Sequence, residues 1–215
     1  MNILKSLIVF LFFIVIVIKS QPLILFEKYH LSSGCSNSPS NCNGQVTYGT
    51  ILKQSQCLNY LGVPSIFSTY DPLATIVQNK YLVPNCQGTY SQTKYFEGRC
   101  NGTCQGGNNY PFKGSLINDI DIPSNTWVSV SYSSPQCNGD FKDSFFKIEY
   151  SPMDFCEAIG SYSFKSTCNS SAVTYNTYSG SSCSFAPIST IIIPMANDCG
   201  DSNNNYNNYY QFCNN

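Results

Sequence analysis

The sequence predicts an all-β fold: disulfide-rich antiparallel sheets, sandwich-like, with little helix. Three observations predict it. Several short runs alternate apolar and polar residues with a period of two, the pattern of a strand that buries one face. Twelve cysteines are spread through a chain of 215 residues. The runs between them are built from Tyr, Thr, Ser and Val, which suit a pleated, half-buried surface, and helical periodicity is weak.

In chain order, residues 1–20 stand apart as a signal peptide. Lys5 supplies the positive end, and Leu7 to Ile18 is an unbroken apolar run of twelve, shorter than the roughly 20 residues needed to span a bilayer. Cleavage after Ser20 is the expected processing. An uncleaved anchor competes with it, but Lys19 closes the apolar run early. The end of the chain, Tyr206 to Asn215, is polar and lacks the hydrophobic tail of a lipid-anchor signal. The expectation is a secreted, extracellular protein with no stable membrane span.

Residues 21–215 read as a cysteine-rich β domain, with candidate halves 21–110 and 111–215. Cys35, Cys42, Cys57, Cys86, Cys100 and Cys104 precede a cysteine-free stretch, and Cys137, Cys156, Cys168, Cys183, Cys199 and Cys213 follow it. An even count in an exported chain predicts six disulfides, with the pairing left open. Zinc is disfavoured, because no C-x2-C pair occurs and His30 is the single histidine. The segments Cys42–Cys57 and Cys168–Cys183 have the same spacing and share Val-Thr-Tyr. That match raises an internal duplication, although Val-Thr-Tyr is ordinary strand material.

Strands are expected at Leu23 to Tyr29, Val46 to Leu52 and Thr89 to Phe96. Trp127 to Tyr132 alternates strictly, placing Val128, Val130 and Tyr132 on one face and Trp127, Ser129 and Ser131 on the other. Phe146, Ile148 and Tyr150 alternate likewise. The Asn-Gly turn signal at Asn138-Gly139 between these two runs predicts a long-looped antiparallel pair. A short helix is expected at Met153 to Ile159, opened by Ser151-Pro152, with Asp154 and Glu157 complementing its dipole. Further strands are expected at Ser161 to Lys165, Ala172 to Tyr178 and Thr190 to Ile193. Asn-Gly and Gln-Gly pairs after several cysteines read as turns, and Asp201 to Asn208 reads as an Asn-rich surface loop.

Charge and motifs exclude several function classes. Without Lys5 and Lys19, nine basic residues face twelve acidic ones, a net charge of −3. Scattered lysines and the single Arg99 do not make a phosphate-binding surface, so no nucleic-acid partner is expected. A catalytic triad would have to use His30 near the mature N-terminus, and no nucleophile elbow, metalloprotease or phosphate-loop motif occurs. Paired carboxylates, the minimum for a glycosidase, are sought in Asp119 with Asp121 on one strand face, Asp140 with Asp143 in a loop, and Asp154 with Glu157 one helical turn apart. Such pairs are ordinarily solvated. Asp198 and Asp201 lack the ligand pattern of a calcium loop. The sequence therefore predicts no enzyme, no metal and no cofactor. Asn101-Gly-Thr and Asn169-Ser-Ser are glycosylation sequons beside cysteines, and Trp127 is the candidate aromatic platform for a ligand.

The signal, the length, the cysteine density and the run Gly160-Ser-Tyr-Ser-Phe-Lys-Ser-Thr-Cys168, leading through Val173-Thr-Tyr-Asn-Thr-Tyr-Ser179 to Cys183, resemble a known family. They are similar to the cysteine-rich secreted proteins of social amoebae that include the counting-factor-associated proteins. The resemblance is most specific from Trp127 to Cys183 and brings no catalytic motif. It implies a non-enzymatic extracellular role in association with other secreted proteins, in or beside a complex that limits cell-group size. The alternative is a carbohydrate-binding or matrix protein whose partners are glycans.

Overall fold

The computed structural model describes residues 22–30, 42, 44–58, 65–71, 73, 75–101, 111–132, 141–195 and 208–215. They form three antiparallel sheets. A seven-stranded central sheet has the order β15 (Asn208–Asn214), β9 (Thr126–Tyr132), β10 (Phe145–Pro152), β2 (Gln45–Leu52), β1 (Leu23–His30), β8 (Phe112–Ile117) and β7 (Cys100–Asn101). Two four-stranded meanders complete the fold. The first is β3 (Cys57–Leu58), β4 (Ile66–Asp71), β5 (Thr75–Tyr81) and β6 (Tyr90–Phe96). The second is β11 (Cys156–Ile159), β12 (Tyr162–Cys168), β13 (Ala172–Ser179) and β14 (Ser189–Pro194). The one α-helical segment among the described residues is a single turn, α1 (Phe141–Ser144).

The order of connection repeats. β1 and β2 lead into the first meander and return to β8, whereas β9 and β10 lead into the second and return to β15. The trios β2-β1-β8 and β10-β9-β15 meet where β2 pairs with β10. Thr50 and Glu149 lie opposite each other at that junction, so one row across the sheet runs Gly114, Phe26, Thr50, Glu149, Ser129, Gln211. Positions equidistant from the junction are structural counterparts.

Disulfides follow the same repeat. Cys57–Cys86 and Cys156–Cys183 each tie the first strand of a meander to the loop after its third, across sequence separations of 29 and 27 residues. The second cysteine of each pair has a positive φ, 52° at Cys86 and 46° at Cys183. The N–H of Cys86 donates to Ser65 Oγ at 2.8 Å and that of Cys183 to Ser163 Oγ at 3.1 Å. Both serines are fully buried. A buried amide needs an acceptor, and a buried serine supplies it in each repeat. The correspondence therefore runs through Cys57/Cys86 and Cys156/Cys183. The spacing match seen in the sequence instead joins β2 of the central sheet to β13 of a meander, which are not counterparts.

Cores form on both faces of the central sheet. On one, Ile51, Val128, Val130, Ile148 and Tyr150 are buried beneath Ile120, Ile122 and Phe141. On the other, Ile24 and Leu52 meet Leu58 and Ile76 of the first meander. Tyr95 also closes on Phe26 edge-on, with ring centres 5.2 Å apart. The alternation of β9 holds, but Ser129 and Ser131 on its polar side are also buried. A strand inside the sheet is covered on both faces, so the polar face of β9 is buried as well.

The expected helix at Met153 to Ile159 is not formed. Met153 is a buried residue after β10, Asp154 takes a positive φ of 59°, and Cys156–Ile159 is β11. β11 pairs with β12 across Gly160-Ser161, where Gly160 has φ 62° and accepts the left-handed turn without a Cβ clash. Asp154 pairs with Lys165 at 3.2 Å instead of completing a carboxylate pair with Glu157. Cross-strand pairing and the Cys156–Cys183 bond override a weak local preference for helix.

Three strands also cooperate around an acid. Gly49 of β2 lies between Glu27 of β1 and Tyr150 of β10. With no side chain at Gly49, the Tyr150 ring lies across β2 and its hydroxyl approaches Glu27 Oε1 at 3.5 Å, while the Tyr29 hydroxyl donates to Glu27 Oε2 at 2.5 Å. Burial, then the adjacent Glu27 carboxylate, raises both phenols above the ordinary tyrosine value. The folded chain thus holds these protons more tightly than the unfolded chain. Their stabilising contribution is full below the unfolded value of about 10 and is lost as pH rises beyond it. Denaturant midpoints measured across alkaline pH should stay level up to about 10 and fall above it, with a shallower fall in Tyr150→Phe.

Candidate functional site

The described residues enclose a cleft of about 150 Å3 between the central sheet and the second meander. The central sheet contributes Thr47 of β2 and Ser151 and Pro152 of β10. The meander contributes Phe155, Glu157, Phe164, Lys165, Ser166, Tyr175 and Asn176. Strand alternation explains four of these residues. Glu157 lies opposite Phe164, and Ser166 lies opposite Tyr175, so these four share one face of the meander. Phe164 and Tyr175 are diagonal neighbours on adjacent strands, close enough for their rings to act together.

The electrostatics are mild. Asp154 holds the Lys165 ammonium, and Glu157 is the one carboxylate lining the cleft. Burial alone raises the Tyr175 phenol. Thr47 Oγ1 donates to the Lys28 carbonyl at 3.3 Å, so this wall is held by β1. The arrangement offers aromatic surface with a rim of donors and acceptors. Among the described residues no cluster of three metal-ligating side chains occurs.

A second feature is an edge strand. Among the described residues β14 pairs with β13 alone, and all six of its residues are exposed. Ile191, Ile192 and Ile193 are 59%, 64% and 45% exposed, and no charge interrupts Ser189–Pro194. Its counterpart β6 carries Lys94, and Tyr95 there packs onto Phe26. Ile193 occupies the place of Tyr95, since it lies opposite Val173 as Tyr95 lies opposite Ile76. Phe26 is matched by Ser129 across the junction, so the second sandwich lacks the aromatic pair that closes the first. An uncharged edge with unpaired backbone groups is a template for strand addition.

The sequence-derived candidates distribute as follows. Trp127 is half-buried between Ser151 and Cys213, outside the cleft lining, and its buried indole N–H has no hydrogen-bond partner among the described residues. Asn169 is exposed in the turn between β12 and β13, where its Oδ1 accepts from the Ser171 N–H, the Ser171 hydroxyl and the Ala172 N–H. Asn101 ends β7, with its side chain outside the described residues. Asp119 and Asp121 are exposed in the connection between β8 and β9, not on a strand face. Asp140, Asp198 and Asp201 and the side chains of Asp143 and His30 lie outside the described residues, as do Cys35, Cys104, Cys137 and Cys199.

All eight described cysteines are bonded. Beyond the two meander staples, Cys42 joins Cys100 and Cys168 joins Cys213. The second of these fastens the second meander to the β15 edge of the central sheet. No helix among the described residues is long and apolar enough to cross a membrane.

Counting factor-associated protein A of Dictyostelium discoideum is 27% identical, with all of both chains covered. Counting factor-associated protein C of the same organism is 23% identical over 79% of this chain and 83% of its own length. No solved structure matches the chain. The family model for counting factor-associated protein A/B/C matches residues 1–215, and the chain belongs to that family.

Proposed function

We propose that the protein is a secreted, non-enzymatic, glycosylated extracellular component that associates with other secreted proteins in a complex of the counting-factor kind. The observation that carries this reading is the uncharged, exposed edge that β14 forms among the described residues. Backbone pairing to a strand of another exported protein would satisfy its free amides and carbonyls and cover Ile191 and Ile193. The family membership supports the class of partner, and the four disulfides suit an oxidising compartment. Asn169 is the favoured glycan site, because its turn is exposed and held by its own Oδ1.

The test is size-exclusion chromatography of conditioned medium containing a C-terminally tagged chain, followed by mass spectrometry of the tagged fractions. The expected result is elution in a large particle with other secreted proteins. Ile191→Lys should release the chain from that particle while changing its stability by less than about 0.5 kcal/mol, as surface substitutions ordinarily do. Elution of the parent chain alone at monomer size would overturn the association reading.

A further inference from the structure

We propose that the cleft between the central sheet and the second meander binds a neutral pyranose sugar. The inference goes beyond the association reading and does not depend on it, since β14 does not line the cleft. Its force comes from comparison of the two repeats. Through the β2·β10 junction and the meander registers, Leu52, Leu58 and Ile66 under the first meander, with Phe146 from β10 beside them, are matched by Ser151, Glu157 and Phe164 under the second, with Thr47 from β2 beside them. All four residues of the first set belong to its apolar core. The same place in the second repeat has exchanged three apolar side chains for a hydroxyl, a carboxylate and another hydroxyl, and it is hollow.

Such an exchange gives up buried apolar contacts at a sheet interface, which the Cys168–Cys213 bond spans instead. At the same place, Gln78 of β5 is replaced by Tyr175 of β13, which adds an aromatic ring to the hollow. The product is a small cleft with rings on one wall and hydroxyl and carboxylate groups around them.

Pyranoses present the complementary surface. One face of the ring is a patch of C–H groups that stacks on an aromatic ring, and the edge is a belt of hydroxyls that both donate and accept. Phe164 and Tyr175 supply the platform. Glu157 accepts from a hydroxyl pair, while Ser151 and Ser166 complete the belt. Charge selects a neutral ligand. Lys165 is held by Asp154, and Glu157 would repel the carboxylate of an acidic sugar.

The experiment uses the full disulfide-bonded chain and a panel of methyl glycosides of glucose, mannose, galactose and N-acetylglucosamine, with glucuronic acid as the charged comparison. Saturable binding is read by ligand-observed NMR. At least one neutral glycoside is expected to bind with roughly millimolar affinity, and glucuronic acid more weakly. Tyr175→Ala should weaken binding about five- to tenfold by removing the stacking surface. Glu157→Gln, which keeps shape, should weaken it by at least about threefold. The double variant Ser151→Leu/Glu157→Leu copies Leu52 and Leu58 into the second repeat, and should abolish binding while leaving the melting temperature unchanged or raised. Absence of saturable binding to every neutral glycoside would overturn the proposal. So would binding that survives the double variant in a folded chain.

Discussion

Gly49→Ala is expected to destabilise the fold by about 3 kcal/mol or more, a large effect for the addition of one methyl group. The added Cβ would fall 2.0 Å from Tyr150 Cζ and 2.4 Å from its hydroxyl oxygen. That is the rigid ring of a fully buried residue, not the end of a flexible chain, so relief requires the ring to leave its site. Tyr150 is flanked on the same face by Ile148, Val128 and Ile51, and its departure opens the core beneath. It also separates the Tyr150 hydroxyl from Glu27, so an apolar defect and an electrostatic one arrive together. Denaturant unfolding measures the loss. The double variant Gly49→Ala/Tyr150→Ala should cost less than the sum of its parts, because the second change removes the obstacle to the first. Strict additivity, or a single-variant cost under about 0.5 kcal/mol, would show that the ring does not occupy this position in solution.

Strand periodicity is legible in sequence where one face is buried and the other is polar. β1, β2, β6, β9, β10, β12, β13 and β14 all overlap strands expected from the sequence, β9 and β10 from strict alternation. The misses have physical causes. β15 reads as a polar tail because its Asn, Gln and Tyr content carries little apolar signal, yet it pairs along β9 from Asn208 to Asn214. β4, β5 and β8 are short runs bounded by turn residues, and their register is fixed by neighbours distant in sequence. β11 was obscured by acids that imitate a helix start.

Site geometry was less legible than the fold. Alternation within β12 and β13 places Phe164 and Tyr175 on single-strand faces, but only the pairing register shows that they share one. The counterpart relation of Leu58 and Glu157 is invisible in sequence, because the repeats have lost residue identity and retained topology. Trp127 drew attention by rarity, whereas aromatic residues too common to stand out line the cleft.

Removing a meander staple is the second large effect. Cys57→Ala/Cys86→Ala should cost roughly 3 to 4 kcal/mol, because the bond closes a loop spanning 29 residues of sequence and its loss restores that freedom to the unfolded chain. Cys156→Ala/Cys183→Ala, with a separation of 27, should cost nearly the same on loop entropy alone. The packing beneath the two staples differs. The first meander rests on Ile24, Leu52, Leu58 and Ile76, a core that can keep it docked without its staple. The second rests on a hollow interface and on Cys168–Cys213. Limited proteolysis should therefore cut within residues 156–194 of the second variant well before residues 57–96 of the first, even where thermal unfolding gives similar losses. Replacing Cys86 by Gly in place of Ala should recover up to about 1 kcal/mol, since glycine accepts the positive φ that alanine resists. Equal protease resistance of the two meanders would mean that the cleft is as well packed as the apolar core opposite, and would undercut the asymmetry on which a ligand site there depends.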